Sequence, residues 1–360
     1  MKIALAINSS SGLFNFRKDL ILHMLADGHD VIALTPIGDR SEQLEALGIR
    51  LISTEIDRRG LNPIHDLSLF FQYRRILKSE KPDLVITYTI KPNVYCGYAC
   101  RMAKIAYAAN ITGLGSTFEK NNLLKRVVVI MNKVSLRYAK CVFFENENNK
   151  NLFVNEGIVK KEKAVLLNGA GVNLEHFYYQ TYPDDSKGIR FLFMGRVMKE
   201  KGIEELFSSM QRLKAKGFDC YLDVLGSLEE KYEGQIRQFE KAGWLNYYGY
   251  QSDVRPFIEK SHCFVLPSYH EGMANTNLES AASGRPIITS DIPGCMEAVL
   301  DERSGFLCRA KDADDLYIKM VKFLSLSQSE RKQMGLVGRK HMEASFDKKI
   351  IVNKTIEQLY

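Results

Sequence analysis

PSYHEGMANTNLESAASGRP, residues Pro267 to Pro286, follows the short apolar run Cys263 to Leu266. The run reads as a buried strand, and the polar residues after it as a loop that opens a helix near Asn277. The small residues Ala281, Ala282, Ser283 and Gly284 let that helix pack closely. Two carboxylates frame the segment, Glu271 in the loop and Glu279 in the first helical turn. Gly272, Met273, Ala274 and Asn275 offer backbone N–H groups at a helix N-terminus, where the macrodipole favours an anion. Phosphates and sugar hydroxyls are the ligands such a loop suits. A structural reading stands beside it: Thr276 to Glu279 has the spacing of a capping box, and a loop glutamate such as Glu271 is often only solvated.

Working outward, 360 residues exceed what one hydrophobic core usually serves, so two domains are expected. With 45% hydrophobic and 26% charged residues, the composition is that of a soluble globular protein. No apolar run approaches the roughly 20 residues of a membrane span. The opening MKIALAI reads as a strand rather than a leader, because Asn8 to Ser11 interrupts it. The seven cysteines lack paired spacing, and Cys96 and Cys100 share a helical face as packing residues do, which points to a reduced interior.

The first half alternates apolar runs with helical stretches. Strands are expected at Lys2 to Asn8, Val31 to Thr35, Arg50 to Ile56, Leu84 to Thr89, Ala106 to Asn110 and Cys141 to Glu145. Runs this apolar indicate a parallel sheet covered on both faces. Ser9 to Gly12 forms the first turn but lacks the G-x-G-x-x-G spacing of a dinucleotide fingerprint. After a polar stretch from Tyr178 to Lys187, the alternation resumes at Arg190 to Met194, Tyr221 to Leu225, Asn246 to Tyr248, Cys263 to Leu266 and Pro286 to Thr289. The expected organisation is an α/β chain of two doubly wound Rossmann-like domains, residues 1–175 and 176–345, facing across a cleft. A helix over 346–360 packs back on the first domain. At the first strand end of the second domain, Gly195-Arg196 precede Lys201-Gly202. Arg forks onto phosphate oxygens and Lys supplies a point charge, although a solvated basic loop reads the same way.

These residues carry a resemblance. The chain resembles the retaining glycosyltransferases of the GT-B fold, family 4, over essentially its whole length. The hallmark E-x7-E is matched by Glu271 and Glu279, inside a pattern that also takes Pro267, Ser268, Gly272, Leu278, Gly284 and Pro286; a second motif is matched by Gly195, Arg196, Lys201 and Gly202. The resemblance implies a nucleotide-diphosphate sugar donor, UDP-linked, and no metal or other cofactor. Glu279 would hold the ribose hydroxyls and Glu271 the transferred sugar. The amides of Met273 to Asn275 would approach sugar and phosphate, Arg196 and Lys201 would bind the diphosphate, Gly12 would come close to it, and Tyr250 would lie by the base. The catalytic set is Glu271, Arg196 and Lys201.

Thr112 stands where many relatives carry a histidine, so no catalytic histidine is assigned, and His270 reads equally as a contact or a solvated loop residue. Asp312-Ala313-Asp314 resembles a metal-binding D-x-D but opens an amphipathic helix, where an N-terminal charge pair is expected. Tyr88 to Asn93, Ile111 to Gly115 and Pro293 to Cys295 are similar to bacterial enzymes that extend lipid-linked sugars for surface polysaccharide. Tyr88, Lys91 and Asn93 are therefore candidate acceptor contacts, with Lys-Pro-Asn as a simple turn the alternative. Residues 1–170 carry a net charge of +8, against −1 for residues 171–360. Between Lys120 and Lys140, Lys125, Arg126, Lys133 and Arg137 alternate with Leu123, Leu124, Val127, Val128 and Ile130, and Arg58, Arg59, Arg74 and Arg75 add charge. An anionic membrane surface is the expected partner, on the inner face of the cytoplasmic membrane; no basic-aromatic pattern points to nucleic acid. A sugar-nucleotide epimerase, or a non-catalytic sugar-nucleotide-binding protein of the same fold, is the alternative.

Overall fold

The computed structural model describes residues 1–57, 62–113 and 123–360. Arg58 and Arg59, Leu114 and Gly115, and the side chains of Leu123 and Leu124 lie outside the described residues. The chain divides into two units: residues 1–170 with 349–360, and residues 171–348.

The first unit holds β1 (Lys2–Ala6), β2 (Asp30–Thr35), β3 (Arg50–Ser53), β4 (Leu84–Tyr88), β5 (Ala106–Ile111), β6 (Val142–Phe144) and β7 (Ala164–Leu166). They form one parallel sheet in the order β3-β2-β1-β4-β5-β6-β7. Its helices are α1 (Ser10–Ala26), α2 (Ser41–Glu45), α3 (Pro63–Glu80), α4 (Gly97–Ala103), α5 (Leu123–Leu136) and α6 (Glu147–Asn155). The central strands bury nearly every residue, and separate apolar clusters form on the two sheet faces. That is why their sequences run apolar without alternation. The edge strand β3 stops at Ser53, three residues short of the expected Ile56. Beyond it the Gln72 side chain takes over, donating to Ser53 O at 3.3 Å and accepting from the Glu55 N–H at 3.1 Å.

The second unit holds β8 (Ile189–Met194), β9 (Cys220–Leu225), β10 (Leu245–Tyr247), β11 (Cys263–Leu266), β12 (Ile287–Ser290) and β13 (Gly305–Cys308), parallel in the order β10-β9-β8-β11-β12-β13. Around it lie α7 (Ile203–Ala215), α8 (Glu233–Lys241), α9 (Arg255–Lys260), α10 (Asn275–Ala282), α11 (Ala313–Leu324) and α12 (Gln328–Ser345). β7 and β13 have no counterpart among the expected strands; three or four residues are too short to show a period. The last helix, α13 (Lys348–Leu359), places Ile351, Val352 and Leu359 in the first unit's core with Ile3 and Leu5.

In both sheets the strand order reverses once, between β1 and β4 and between β8 and β11. Open α/β sheets bind ligands beyond the carboxyl ends of the strands at such a switch point. In the second unit the two strands that flank it, β8 and β11, are followed by the two motif-bearing loops.

The return from α10 to β12 is locked by Arg285, whose side chain is fully buried. Its guanidinium donates to Ile258 O at 2.8 Å and Glu259 O at 3.2 Å, at the end of α9, and to Thr181 O at 2.9 Å and Gln180 O at 3.2 Å, in the segment before β8. Burial lowers its pKa to about 10. Arg285→Met keeps the bulk but removes these four hydrogen bonds, although Ile258 O still accepts from the Ser261 N–H and hydroxyl, and hydrogen bonds to a charged group contribute about 1.5–3 kcal/mol each. Urea unfolding of this variant should show a stability loss of roughly 3 kcal/mol or more; an unchanged midpoint would mean that the segment before β8 is held by other contacts.

Candidate functional site at the strand ends of the second unit

Beyond β8 the chain passes Gly195 and Arg196, makes a 3-10 turn over Lys199–Lys201, and enters α7 through Gly202 in the left-handed region (φ +71°). Lys201 therefore precedes α7. Gly202 is required twice over: by its φ, and because a Cβ there would collide with the Pro267 carbonyl of the loop after β11. The two loops are joined further by the Tyr269 N–H, which donates to Glu200 O at 2.9 Å, and by the Ser268 hydroxyl, which donates to the same oxygen at 3.2 Å. This stitching brings residues 70 apart in sequence together: Lys201 Nζ lies 2.5 Å from Glu271 Oε1, with both side chains largely buried. Arg196 is exposed and forms no ion pair among the described residues.

From below, the Pro293-Gly294 turn supports the same loop. Gly294 has φ +86°, and a Cβ there would lie 2.6 Å from Glu271 O and 2.7 Å from Gly272 O. The Ala274 N–H donates to Gly294 O at 2.7 Å, and Glu297 holds the Gly294 N–H at 2.7 Å. This fixes Met273, Ala274 and Asn275 at the mouth of α10, where the Met273 and Asn275 N–H groups donate to no protein acceptor among the described residues. The mouth thus presents two backbone donors, the Lys201 ammonium and the nearby Arg196 loop, an arrangement suited to an anion.

The helix begins at Asn275, two residues before the expected start, with Ala274 as its cap and no side-chain cap hydrogen bond. The capping-box reading of Thr276 to Glu279 is therefore corrected: Glu279 sits one turn inside α10, out of reach of the cap. It is half-buried, and burial pushes its carboxyl pKa up to about 7, partly countered by the Lys348 ammonium. Beside it lies a residue that pattern reading missed. Asn277 is fully buried; its amide donates to Thr289 Oγ1 at 3.2 Å, Thr289 donates to Leu266 O at 2.7 Å, and Asn277 Oδ1 has no partner. Asn275 Oδ1 is buried and unpartnered too. Tyr250 lies 69% exposed beyond β10, free to contact a ligand. His270 is exposed at the loop surface. Asp312 caps α11 by accepting from the Asp315 N–H and pairs with Arg309 at 2.8 Å, while Asp314 pairs with Arg212 at 2.6 Å, so the D-x-D is a structural helix start.

In the first unit, Gly12 lies within the first turn of α1, capped by Ser9, whose hydroxyl accepts from the Gly12 N–H at 3.2 Å. This replaces the open turn expected at Ser9 to Gly12. A Cβ at Gly12 would make only ordinary contacts, the nearest at 3.5 Å, so the local fold does not demand glycine. After β4, Thr89 has φ +69°, a strained backbone for a β-branched residue, and a single π-helical turn covers Pro92–Cys96, replacing the simple Lys-Pro-Asn turn. Asn93 donates to Asn110 O at 2.8 Å, and the Oδ1 atoms of both asparagines, the Thr89 hydroxyl and the Tyr88 hydroxyl are buried without partners. Lys91 is held by Asp66 at 2.6 Å, which also accepts from Tyr95 at 2.9 Å. Thr112 follows β5, half-buried. Behind these strand ends Arg17 and Glu145 form a buried ion pair at 2.9 Å, with the guanidinium over the Tyr88 ring.

Two doubly wound sheets, with basic and carboxylate loops beside the switch point of the second, fit the GT-B fold. Residues 2–146 match the family model described as glycosyl transferase 4-like, and residues 179–341 match that of glycosyl transferases group 1. The chain belongs to the GT-B glycosyltransferases of the family 4 type. It is 28% identical over 375 aligned residues to the N,N'-diacetylbacillosaminyl-diphospho-undecaprenol alpha-1,3-N-acetylgalactosaminyltransferase of Campylobacter jejuni, covering 99% of this chain and 98% of that one. It is 27% identical over 283 residues to the UDP-Gal:alpha-D-GlcNAc-diphosphoundecaprenol alpha-1,3-galactosyltransferase of Escherichia coli, covering 73% and 72%. The crystal structure of Anabaena HepE in complex with UDP and glucose superposes with a TM-score of 0.81 at 15% identity, over 100% of this chain and 99% of that one.

The Glu279 environment sets a stability signature. Its folded pKa of about 7 lies above the usual carboxylate value, so the folded state holds a proton that the unfolded chain releases from about pH 4.5 upward. Folding is penalised progressively across that interval and fully above pH 7. In the ligand-free protein, Glu279→Gln should raise the melting temperature at pH 8, by about 2–4 °C per kcal/mol recovered, and leave it nearly unchanged at pH 5. A lower melting temperature at pH 8 would instead mark Glu279 as a stabilising contact.

Proposed function

We propose that the chain transfers a hexose or N-acetylhexosamine from a UDP-sugar to a sugar carried on a polyprenyl diphosphate, with retention of anomeric configuration and without a metal ion, in the assembly of a surface polysaccharide. The observation that carries this reading is the Lys201–Glu271 contact, which unites the two motif loops beside the switch point. The names of the Campylobacter and Escherichia relatives support a lipid-diphosphate-linked acceptor, and that of the latter a UDP-sugar.

In this mechanism Arg196, Lys201 and the free N–H groups at the start of α10 bind the diphosphate. As the anomeric C–O bond breaks, negative charge grows on the leaving phosphate oxygen, and fixed donors stabilise it without reorganising. The acceptor hydroxyl forms the new C–O bond on the same face and passes its proton to that phosphate oxygen, so no enzymic nucleophile is needed. Glu271 orients the Lys201 ammonium and holds hydroxyls of the transferred sugar, while Glu279 accepts from the ribose.

The assay is incubation of labelled UDP-sugars with a polyprenyl-diphosphate-linked acceptor. Transfer should survive EDTA and give an α-linked product by NMR; activity that requires added manganese, or an inverted linkage, would reject the corresponding part. Isomerised donor, or binding without transfer, would instead favour an epimerase or a binding protein. Arg196→Ala should lower kcat/KM about ten- to a hundredfold through the loss of a charge-assisted contact.

The first unit supplies the membrane side of the proposal. Arg126, Val127, Ile130, Lys133, Val134, Arg137 and Tyr138 are exposed at helical spacing along and just past α5, a stripe in which cations alternate with apolar side chains. Lys125 leaves this stripe and turns toward Glu156 at 3.8 Å. Among the described residues no helix is long and apolar enough to cross a membrane, and a basic-apolar stripe suits a headgroup surface. The protein should sediment with vesicles containing anionic lipid and release as salt rises. Changing Arg126, Lys133 and Arg137 together to Gln should weaken binding, at roughly 1 kcal/mol for each charge. Indifference to anionic vesicles at low salt would point to a water-soluble acceptor.

A further inference from the structure

A groove of about 410 Å³ runs between the C-terminal half of α3 and the end of α4. Pro82, just before β4, and Ile105, just before β5, line it. It therefore opens at the amino ends of the strands, the edge opposite the strained and unpartnered residues that follow β4 and β5. A ligand bound here would take no part in sugar transfer.

Its chemistry has two halves. Arg74, Lys78 and Lys81 stand around it, all exposed, with no ion pair among the described residues, and no Asp or Glu lines the groove. The floor is apolar: Leu77, Ala99 and Pro82 are buried beneath it, and Met102 is 51% exposed at its side. Cations near a helix C-terminus complement its dipole, which accounts for Lys78 and Lys81. Arg74, nearly two turns before the end of α3, lies over the Phe70 ring at 5.9 Å, but neither the dipole nor this contact accounts for apolar surface left open beside the charges.

We propose that this groove binds an anionic phospholipid of the membrane, its phosphate on the three cations and its first acyl carbons on the apolar floor. A bare anion would use only the cations, and an uncharged amphiphile only the floor. The groove also shares a layer with the basic stripe of α5. Arg101 of α4 donates to Val134 O at 3.1 Å, and its guanidinium lies over the rings of Tyr98, at 5.8 Å, and Tyr138, at 4.9 Å. The inference rests on the membrane reading above: a lipid drawn partly out of the bilayer would fix the orientation in which the first unit meets the surface.

The test uses soluble short-chain lipids, so that binding in the groove is measured apart from binding to a surface. Dihexanoyl phosphatidylglycerol, below its micelle concentration, should bind by calorimetry, whereas inorganic phosphate and dihexanoyl phosphatidylcholine should not. The combined variant Arg74→Gln, Lys78→Gln, Lys81→Asn should lose roughly tenfold or more of that affinity; Asn suits the left-handed backbone at position 81 (φ +47°), and at these exposed positions the fold should be kept, with only the small helix-dipole contribution of Lys78 and Lys81 lost. The α5 variant should keep it. Equal binding of inorganic phosphate, undiminished binding by the groove variant, or no binding of the short-chain anionic lipid would each overturn the proposal. If the full-length protein still sediments with anionic vesicles in those cases, the groove assignment alone fails. If it ignores vesicles as well, the membrane reading fails with it.

Discussion

The second unit depends on one close approach: the backbone of Gly202 against the carbonyl of Pro267. Nothing larger than hydrogen fits there, and only with that contact made do the loops after β8 and β11 share a surface. Lys201, the next residue back, is then delivered to Glu271, and Glu200 accepts from the Tyr269 amide and the Ser268 hydroxyl. A parallel sheet places successive strand ends on one edge, but it leaves the loops free to diverge. The glycine contact on one side and the Pro293-Gly294 turn on the other brace the glutamate loop. Preorganisation of this kind lets a cation stabilise developing charge without first being moved into place.

This rigidity comes with a stability cost concentrated where ligands are expected. Glu279 is held in surroundings that favour its neutral form, and Asn275 and Asn277 each keep a buried oxygen without a donor. The end of β4 carries a similar load: a β-branched residue at positive φ, a π-helical turn, and buried hydroxyl and amide groups without partners. Strained backbone of this sort costs about 1–3 kcal/mol per residue and persists only where the surroundings enforce it. Elsewhere the same protein is conservative. Arg285 has its charge distributed over carbonyls on two segments, and Arg17 and Glu145 neutralise one another in the interior.

The apolar, unalternating strands and the helical stretches between them were enough to indicate two parallel α/β units, because burial on both faces leaves that mark on any local window. The E-x7-E spacing and the Gly195-Arg196 to Lys201-Gly202 motif were legible for the same reason: each lies within one loop and the turn that follows it. The D-x-D segment was equally local, and its cap geometry agrees with the helix-start reading.

Relations between distant segments were decided by the tertiary structure alone. A capping box and a ligand-binding glutamate share one spacing, and only the packing of Gly294 under the loop started α10 at Asn275 and carried Glu279 away from the cap. The raised pKa of Glu279, the Asn277–Thr289–Leu266 chain and the contact of Lys201 with Glu271 depend on burial and on partners 12 to 70 residues away. In the first unit, overall charge was visible in the sequence, but its division between the stripe on α5, the groove beside α3 and the internal Lys91–Asp66 pair was not. Charge can be counted along a chain. Which charges meet a partner, and which face solvent, follows from how helices pack on a sheet, and that packing is not a property of any one segment.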